Sequence, residues 1–273
     1  MSSESESARL DEALHPNWAI ETQGLTRRFG DAVAVQDLHL QVPRGCFLGF
    51  LGANGAGKST TIKMLTGLLK PTAGRAYILG HRMYEDDLEA KAAIGVVPED
   101  LAIHERLTGF EYLTFVGRMY RLDRATITRR RQELLEWMSL DKEPKKLIVD
   151  YSHGMKKKLA LAAALIHDPQ VLFLDEPFEG IDVIASRQIR DLLTHLIGRG
   201  VTIFLTSHIL EVVEKLCTHV AIIHEGKLAA HGSMEELRAG VDTGSGEKRT
   251  LEQIFLDLVH ADAVDASALS WLR

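Results

Sequence analysis

The run Gly52-Ala53-Asn54-Gly55-Ala56-Gly57-Lys58-Ser59-Thr60 constrains this chain more than any other stretch of it. It fits G-x-x-x-x-G-K-[ST], the P-loop that cradles nucleotide phosphates. Its glycines let the backbone wrap close to an anion with no Cβ in the way. The loop amides then point inward as a nest of positive partial charge. Lys58 reaches toward β- and γ-phosphates, and the Ser59 hydroxyl is placed to ligate Mg²⁺. The flanks suit the same frame. Residues 46–51 form an apolar run that predicts a buried strand. Residues 60–69 predict a helix whose N-terminus adds its dipole to the anion site. Nucleotide binding follows from strand, loop and helix in series; what the nucleotide drives does not.

Bulk properties exclude several other classes. The chain has 273 residues, 45% hydrophobic and 26% charged, as a globular protein with a sizeable core should be. Its net charge of −6 argues against a nucleic-acid binder, whose footprint is basic. Cys46 and Cys217 both lie in apolar stretches and read as buried thiols of a reducing compartment, not as a disulfide. The apolar run at 159–166 is far short of the roughly 18 residues a membrane span needs. Residues 1–14 are rich in Ser and Glu, with no basic n-region and no apolar h-region, so no secretory signal is expected. They read as a disordered tail. A cytoplasmic chain is expected, with any membrane role exerted through a partner.

Patterning divides the chain into three kinds of segment. Apolar and polar residues alternate over 18–45, with a turn at Gly30-Asp31, which predicts antiparallel strands. From about 108 to 166 the pattern is helical. Thr108 with Glu111 three residues on predicts a capped helix start, and Tyr112, Phe115, Val116, Met119 and Tyr120 fall on one helix face. Arg129-Arg130-Arg131 reads as a solvated helix face. After 166, strands and helices alternate. The runs at 171–174 and 201–206 suit central strands of a parallel sheet, and residues 220–231 predict a hairpin about Glu225-Gly226. A closing amphipathic helix is expected over 250–259, with Leu251, Ile254, Phe255 and Leu258 on one face; packing on the core and dimerisation are both open to it.

Two strand ends carry further chemistry. Phe173-Leu174-Asp175-Glu176-Pro177 ends an apolar strand in two carboxylates. A P-loop enzyme needs an acid there to hold Mg²⁺, which suits Asp175. Glu176, one residue beyond, is placed to orient or deprotonate a water attacking the γ-phosphate. His208 ends the next strand at the edge where ligands bind in such sheets. A hydrogen bond to the γ-phosphate or to the attacking water is its expected role.

Together the P-loop, the Asp175-Glu176 pair, Ser207-His208 and the helical insertion resemble an ATP-binding cassette (ABC) nucleotide-binding domain, over about residues 18–237. The resemblance implies an α/β fold: a P-loop NTPase core with a mainly parallel sheet, an antiparallel β wing and an inserted helical subdomain at about 100–166. The expected organisation is a disordered tail at 1–16, the ATPase domain at 17–240, and a linker with a C-terminal helix at 241–273. The family's Leu-Ser-Gly-Gly-Gln signature corresponds to Tyr151-Ser152-His153-Gly154-Met155; Ser152 and Gly154 match, His153 and Met155 depart. The resemblance implies that Ser152 and Gly154 bind the γ-phosphate of an ATP held by a second subunit, so that a head-to-tail dimer sandwiches two ATPs. It also implies that Phe29 stacks on adenine and that Asp182 lies in a loop crossing the dimer interface. Ile94-Gly95-Val96-Val97-Pro98-Glu99 matches the family's lid loop, with Glu99 in place of its Gln. Glu99 thus joins Ser59 and Asp175 as a candidate Mg²⁺ ligand.

The leading functional expectation is the ATPase subunit of an exporter-type ABC transporter. It would act as a homodimer, docked on an integral membrane subunit at the inner face of the cell membrane. Two other readings stand beside it: a soluble ABC ATPase acting on ribosomes or DNA, and a weakly hydrolysing ATP-gated interaction module. The first usually carries two cassettes or a long coiled-coil insertion, neither of which is seen here, and no nucleic-acid partner is expected.

Overall fold

The computed structural model describes residues 17–84, 87–239 and 250–259. The tail expected at 1–16 and most of the linker expected from 241 lie outside the described residues. The chain opens with two long strands, β1 (Trp18–Phe29) and β2 (Ala32–Pro43), paired antiparallel about the Gly30-Asp31 turn. The apolar runs at 33–35 and 38–42 belong to one strand, bent at Asp37, whose φ is 51°. With β4 (Ala73–Ile78) and β5 (His81–Arg82) they form an antiparallel wing of order β2-β1-β4-β5.

The second sheet places the site. It comprises β3 (Phe47–Leu51), β6 (Ile94–Val97), β7 (Val171–Asp175), β8 (Thr202–Ser207), β9 (His219–His224) and β10 (Lys227–Ser233), in the order β10-β9-β3-β8-β7-β6. All neighbours are parallel except β10, which returns antiparallel from β9 through Glu225-Gly226. β3, β7 and β8 are buried along their whole length, as strands covered on both faces are. Side chains alternate between the two faces. Leu48 and Phe50 join Phe173 and Phe204 under the wing, while Phe47 and Leu51 join Leu172, Leu174, Ile203 and Leu205 under helices. The Phe50 and Phe204 rings meet at 5.1 Å between centroids. Each such buried phenyl contributes about 1.5–3 kcal/mol.

Helices fill the rest. α1 (Lys58–Leu65) follows the P-loop and stops earlier than the expected 69, because Gly67 turns left-handed at φ 76°. α2 (Asp87–Ala93) precedes β6. α3 (Gly109–Met119) starts at the predicted capping box of Thr108 and Glu111, and α4 (Arg124–Trp137) is capped by Asp123. α5 (His153–Leu165) is capped by Ser152 and buries its alanines against β6. The triple-arginine face is not simply solvated. Arg130 donates to the carbonyl of Ile166 at 2.8 Å, and Arg131 donates to the Thr114 hydroxyl at 2.8 Å and covers the Phe110 ring. Guanidinium forks thus tie α4 to α3 and to the end of α5; Arg129 alone is exposed. α6 (Val183–Gly198), α7 (Leu210–Leu216) and α8 (Met234–Ala239) complete the domain. The amphipathic closing helix, α9 (Leu251–Leu258), packs on α7 and α8 with Leu251 and Ile254 buried, so its apolar face belongs to the core.

Cys46 and Cys217 are both free and buried; burial pushes the Cys46 thiol up to about 12 and Cys217 well above its ordinary range.

Candidate functional site

Parallel strands leave their carboxyl ends along one edge of the sheet. The order β3-β8-β7 sets three of those ends side by side. The P-loop leaves β3, the carboxylate pair leaves β7, and His208 follows β8. Register sets the height of each: Leu51 pairs with Ser207, and Asp175 with Thr206. A cleft of about 380 Å³ opens there, lined by Asn54, Gly55, Gly57, Lys58, Ser59 and Thr60 on one side and by Glu99, Glu176, Glu179 and His208 on the other.

The loop is shaped by its glycines. Gly57 caps α1 in the left-handed region at φ 110°, and a Cβ on it would stand 2.5 Å from the carbonyl oxygen of Ala34. A Cβ on Gly52 would stand 2.6 Å from the carbonyl oxygen of Ile223. With no side chain at the cap, the first amides of α1 stay free for an anion. Ala56 is buried, and its carbonyl accepts from Gly226 of the β9–β10 turn at 3.0 Å. Lys58 is 7% exposed and donates to the carbonyls of Gly52 at 2.9 Å and Ala53 at 3.4 Å. Its ammonium lies 3.8 Å from Glu176 Oε1.

Glu176 is the centre of the opposite wall. It is buried, yet its φ is 47°, a left-handed conformation that costs a non-glycine residue about 1–3 kcal/mol. Its Oε2 lies 3.0 Å from His208 Nδ1, and its amide donates to the Thr206 hydroxyl at 3.1 Å. That hydroxyl donates in turn to Asp175 Oδ1 at 2.5 Å. Thr206 therefore links the two carboxylate residues. Asp175 is buried and does not itself line the cleft, while Ser59 Oγ donates to Glu99 Oε2 at 3.4 Å across it.

The other expected residues lie elsewhere. Phe29 ends β1 at 49% exposure, outside the cleft lining, with the Arg27 guanidinium 4.5 Å above its ring. Ser152 caps α5 by accepting from the Met155 amide at 3.2 Å. Asp182 caps α6 by accepting from Ala185 at 2.8 Å, a bond that holds its carboxyl below the usual range. Gly154 faces Asp182 and Ile181, and the His153 ring lies over Gly180. Ser152 and Asp182 are exposed and Gly154 is half-buried beside Asp182; none of the three lines the cleft of its own chain.

Three residues of the site carry no motif signal strong enough to find them. Thr206 sits in an ordinary β-branched strand end. Glu179 is one of several acids near Asp175. Lys157 is the middle residue of Lys156-Lys157-Lys158, with nothing in the run to set it apart, yet it is 3% exposed and donates to the Glu176 carbonyl at 2.6 Å.

The donor set suits magnesium. Among the described residues no group of three or more His, Cys, Asp or Glu side chains gathers as a closed metal cage. Mg²⁺ takes oxygen ligands, commonly one or two carboxylates with water and substrate phosphates. The Ser59 hydroxyl, Glu99 and the buried Asp175 offer that chemistry.

Comparison with known proteins gives the family and the fold. The family model described as "ABC transporter" matches residues 35–179. The bacitracin transport ATP-binding protein BcrA of Bacillus licheniformis is 40% identical over 220 residues, covering 80% of this chain and 71% of that protein. The daunorubicin/doxorubicin resistance ATP-binding protein DrrA of Streptomyces peucetius is 37% identical over 226 residues, covering 83% and 68%. A solved structure of the ATP-binding subunit of an ABC transporter superposes with a TM-score of 0.81 at 29% identity, over 88% of this chain and 99% of that one.

Proposed function

This chain belongs to the ABC transporter family of ATP-binding proteins, and on that premise we propose that it binds and hydrolyses ATP to drive an exporter whose membrane-spanning part is a separate subunit. Among the described residues no helix is long and apolar enough to cross a membrane, which accords with a separate spanning partner. The observation that carries the reading is the placement of Glu176: a buried carboxylate between Lys58 and His208, facing the P-loop across one cleft.

The chemistry follows from that placement. The loop amides and Lys58 hold the phosphates and offset charge as it develops on the γ-phosphoryl oxygens. Ser59, Glu99 and Asp175 would hold Mg²⁺, which when bound would supply neutralisation of the phosphate charge. Glu176 accepts a proton from the attacking water as its oxygen bonds to the γ-phosphorus and the bond to the β–γ bridging oxygen breaks, releasing ADP and phosphate. His208, bonded to Glu176 through Nδ1, keeps its Nε2 for the γ-phosphate edge. Ser152 and Gly154 close the site of a second copy, so two chains meet head to tail and ATP drives their closure. Phe29, exposed at the wing, suits adenine stacking.

Docking on the membrane partner is assigned to a groove of about 190 Å³ beside the lid loop, lined among others by Val96, Pro98, Leu101, Tyr112 and Val116. A short apolar helix fits such a groove. The names of the relatives, drug resistance and antibiotic transport, favour export.

The test is Glu176→Gln. ATP affinity should hold, the turnover rate should fall by about 10²- to 10⁴-fold, and ATP should shift the variant to a dimer in size-exclusion chromatography. Turnover at the parental rate would remove Glu176 from the base role.

A further inference from the structure

Glu176 holds a left-handed backbone at φ 47°, and both of its main-chain polar groups are engaged by other elements. Its amide donates to Thr206 of β8 at 3.1 Å, and its carbonyl accepts from Lys157 Nζ of α5 at 2.6 Å. With the backbone pinned from two sides, the carboxylate is left to face Lys58 and His208.

Lys157 is an unexpected residue to find there. It lies five positions after the Ser152 cap, 3% exposed, beside Val97, Leu161, Leu174, Pro177 and Ile189. An ammonium in such a pocket is costly unless paired. Burial lowers its pKa, while Glu179, Glu176, Glu99 and Asp175 favour its charged form. A charge-assisted bond to a carbonyl is about twice as strong as a neutral one. A lysine is therefore a strong tether for a backbone in a costly conformation.

We propose that Lys157 is a positioning residue for ATP hydrolysis: from the helix that begins at Ser152, its ammonium holds the main chain of Glu176 so that the carboxylate meets the attacking water. The proposal rests on the reading of Glu176 as the base. It also means that one helix carries the contact for the partner's ATP at its start and the tether of its own Glu176 little more than one turn later.

The test uses the full chain and four variants: Lys157→Met, Lys157→Gln, Glu176→Gln, and Lys157→Met combined with Glu176→Gln. Lys157→Met keeps the length of the side chain but cannot donate. It should lower kcat by about 10- to 100-fold, the scale on which small misplacements act. Half-saturating ATP should stay within about twofold, since binding in the ground state is untouched. Lys157→Gln keeps a donor and should recover part of the rate; it carries the comparison if Lys157→Met does not fold. The double variant should be no slower than Glu176→Gln alone, because Lys157 acts through Glu176. A parental kcat in Lys157→Met, a further loss in the double variant, or kcat, ATP affinity and melting temperature falling together with no recovery in Lys157→Gln would each overturn the proposal. Glu176→Gln at the parental rate would instead overturn the base role itself, so the two failures are told apart.

Discussion

At Glu99 the chain places a carboxylate 3.4 Å from the Ser59 hydroxyl. A unit charge about 4 Å from another is worth about 1 kcal/mol in bulk water and more in a partly enclosed cleft. Glu99→Gln should therefore raise the Mg²⁺ concentration for half-maximal ATPase by about fivefold, 1 kcal/mol being about that factor. Binding of metal-free ATP should tighten, because one repulsive charge is gone. Equal Mg²⁺ titrations and equal metal-free affinities for parent and variant would sink this role. Lys58, Ser59, Asp175, Glu176 and His208 were legible in the sequence because each sits in a motif or at the end of an apolar run. Thr206 and Lys157 were not. A threonine hydroxyl near the end of a strand and a lysine in a basic run look like many others, and only their partners 31 and 19 residues away distinguish them.

One helix start was read from sequence with good outcome: Thr108 with Glu111 caps where expected, since capping is decided within four residues. The triple-arginine face was misjudged, because two of its guanidinium groups find partners on other helices, which no periodicity reveals. The junction after α5 shows a further element-level feature. His167 Nε2 lies 2.8 Å from the carbonyl of Ile94 in β6, and its ring stacks on Tyr120 of the α3 end, 3.6 Å between centroids. A carbonyl only accepts, so Nε2 carries the hydrogen and Nδ1 is left buried without a partner. Burial holds the His167 pKa below its ordinary value, with Arg130 adding to the shift and Asp168 opposing it. The folded chain thus refuses a proton that the unfolded chain accepts. Stability from this group is present above the unfolded value of about 6.5 and declines as pH falls through it. His167→Phe keeps the stacked ring but cannot titrate. It should melt about 2–4 °C lower near pH 7.5, for a hydrogen bond worth about 1 kcal/mol. Its melting temperature should then fall less than the parent's between about pH 7.5 and 5.5. Equal falls would remove His167 from the pH response.

On the scale of the molecule, the cleft, the Ser152–Gly154 segment and the groove at Leu101 share no residue. A cassette that closes on a second copy while gripping a membrane partner requires that separation. Leu101→Asp puts a charge into the apolar groove at a partly buried position, so its melting temperature should stay within a few degrees of the parent's, as substitutions away from the core do. The share of the chain recovered in the membrane fraction of expressing cells should fall. An unchanged share would move the docking surface elsewhere. By itself the sequence determined the P-loop, the strand and helix alternation, the hairpin at Glu225-Gly226 and the identity of the acidic pair, because each depends on neighbours within a few residues. Only the tertiary structure decided that α9 packs on the core, that Phe29 stands exposed, and that Thr206 and Lys157 hold the backbone of Glu176. Those outcomes depend on strand register and helix packing between segments far apart in the chain, and short-range pattern carries no record of either.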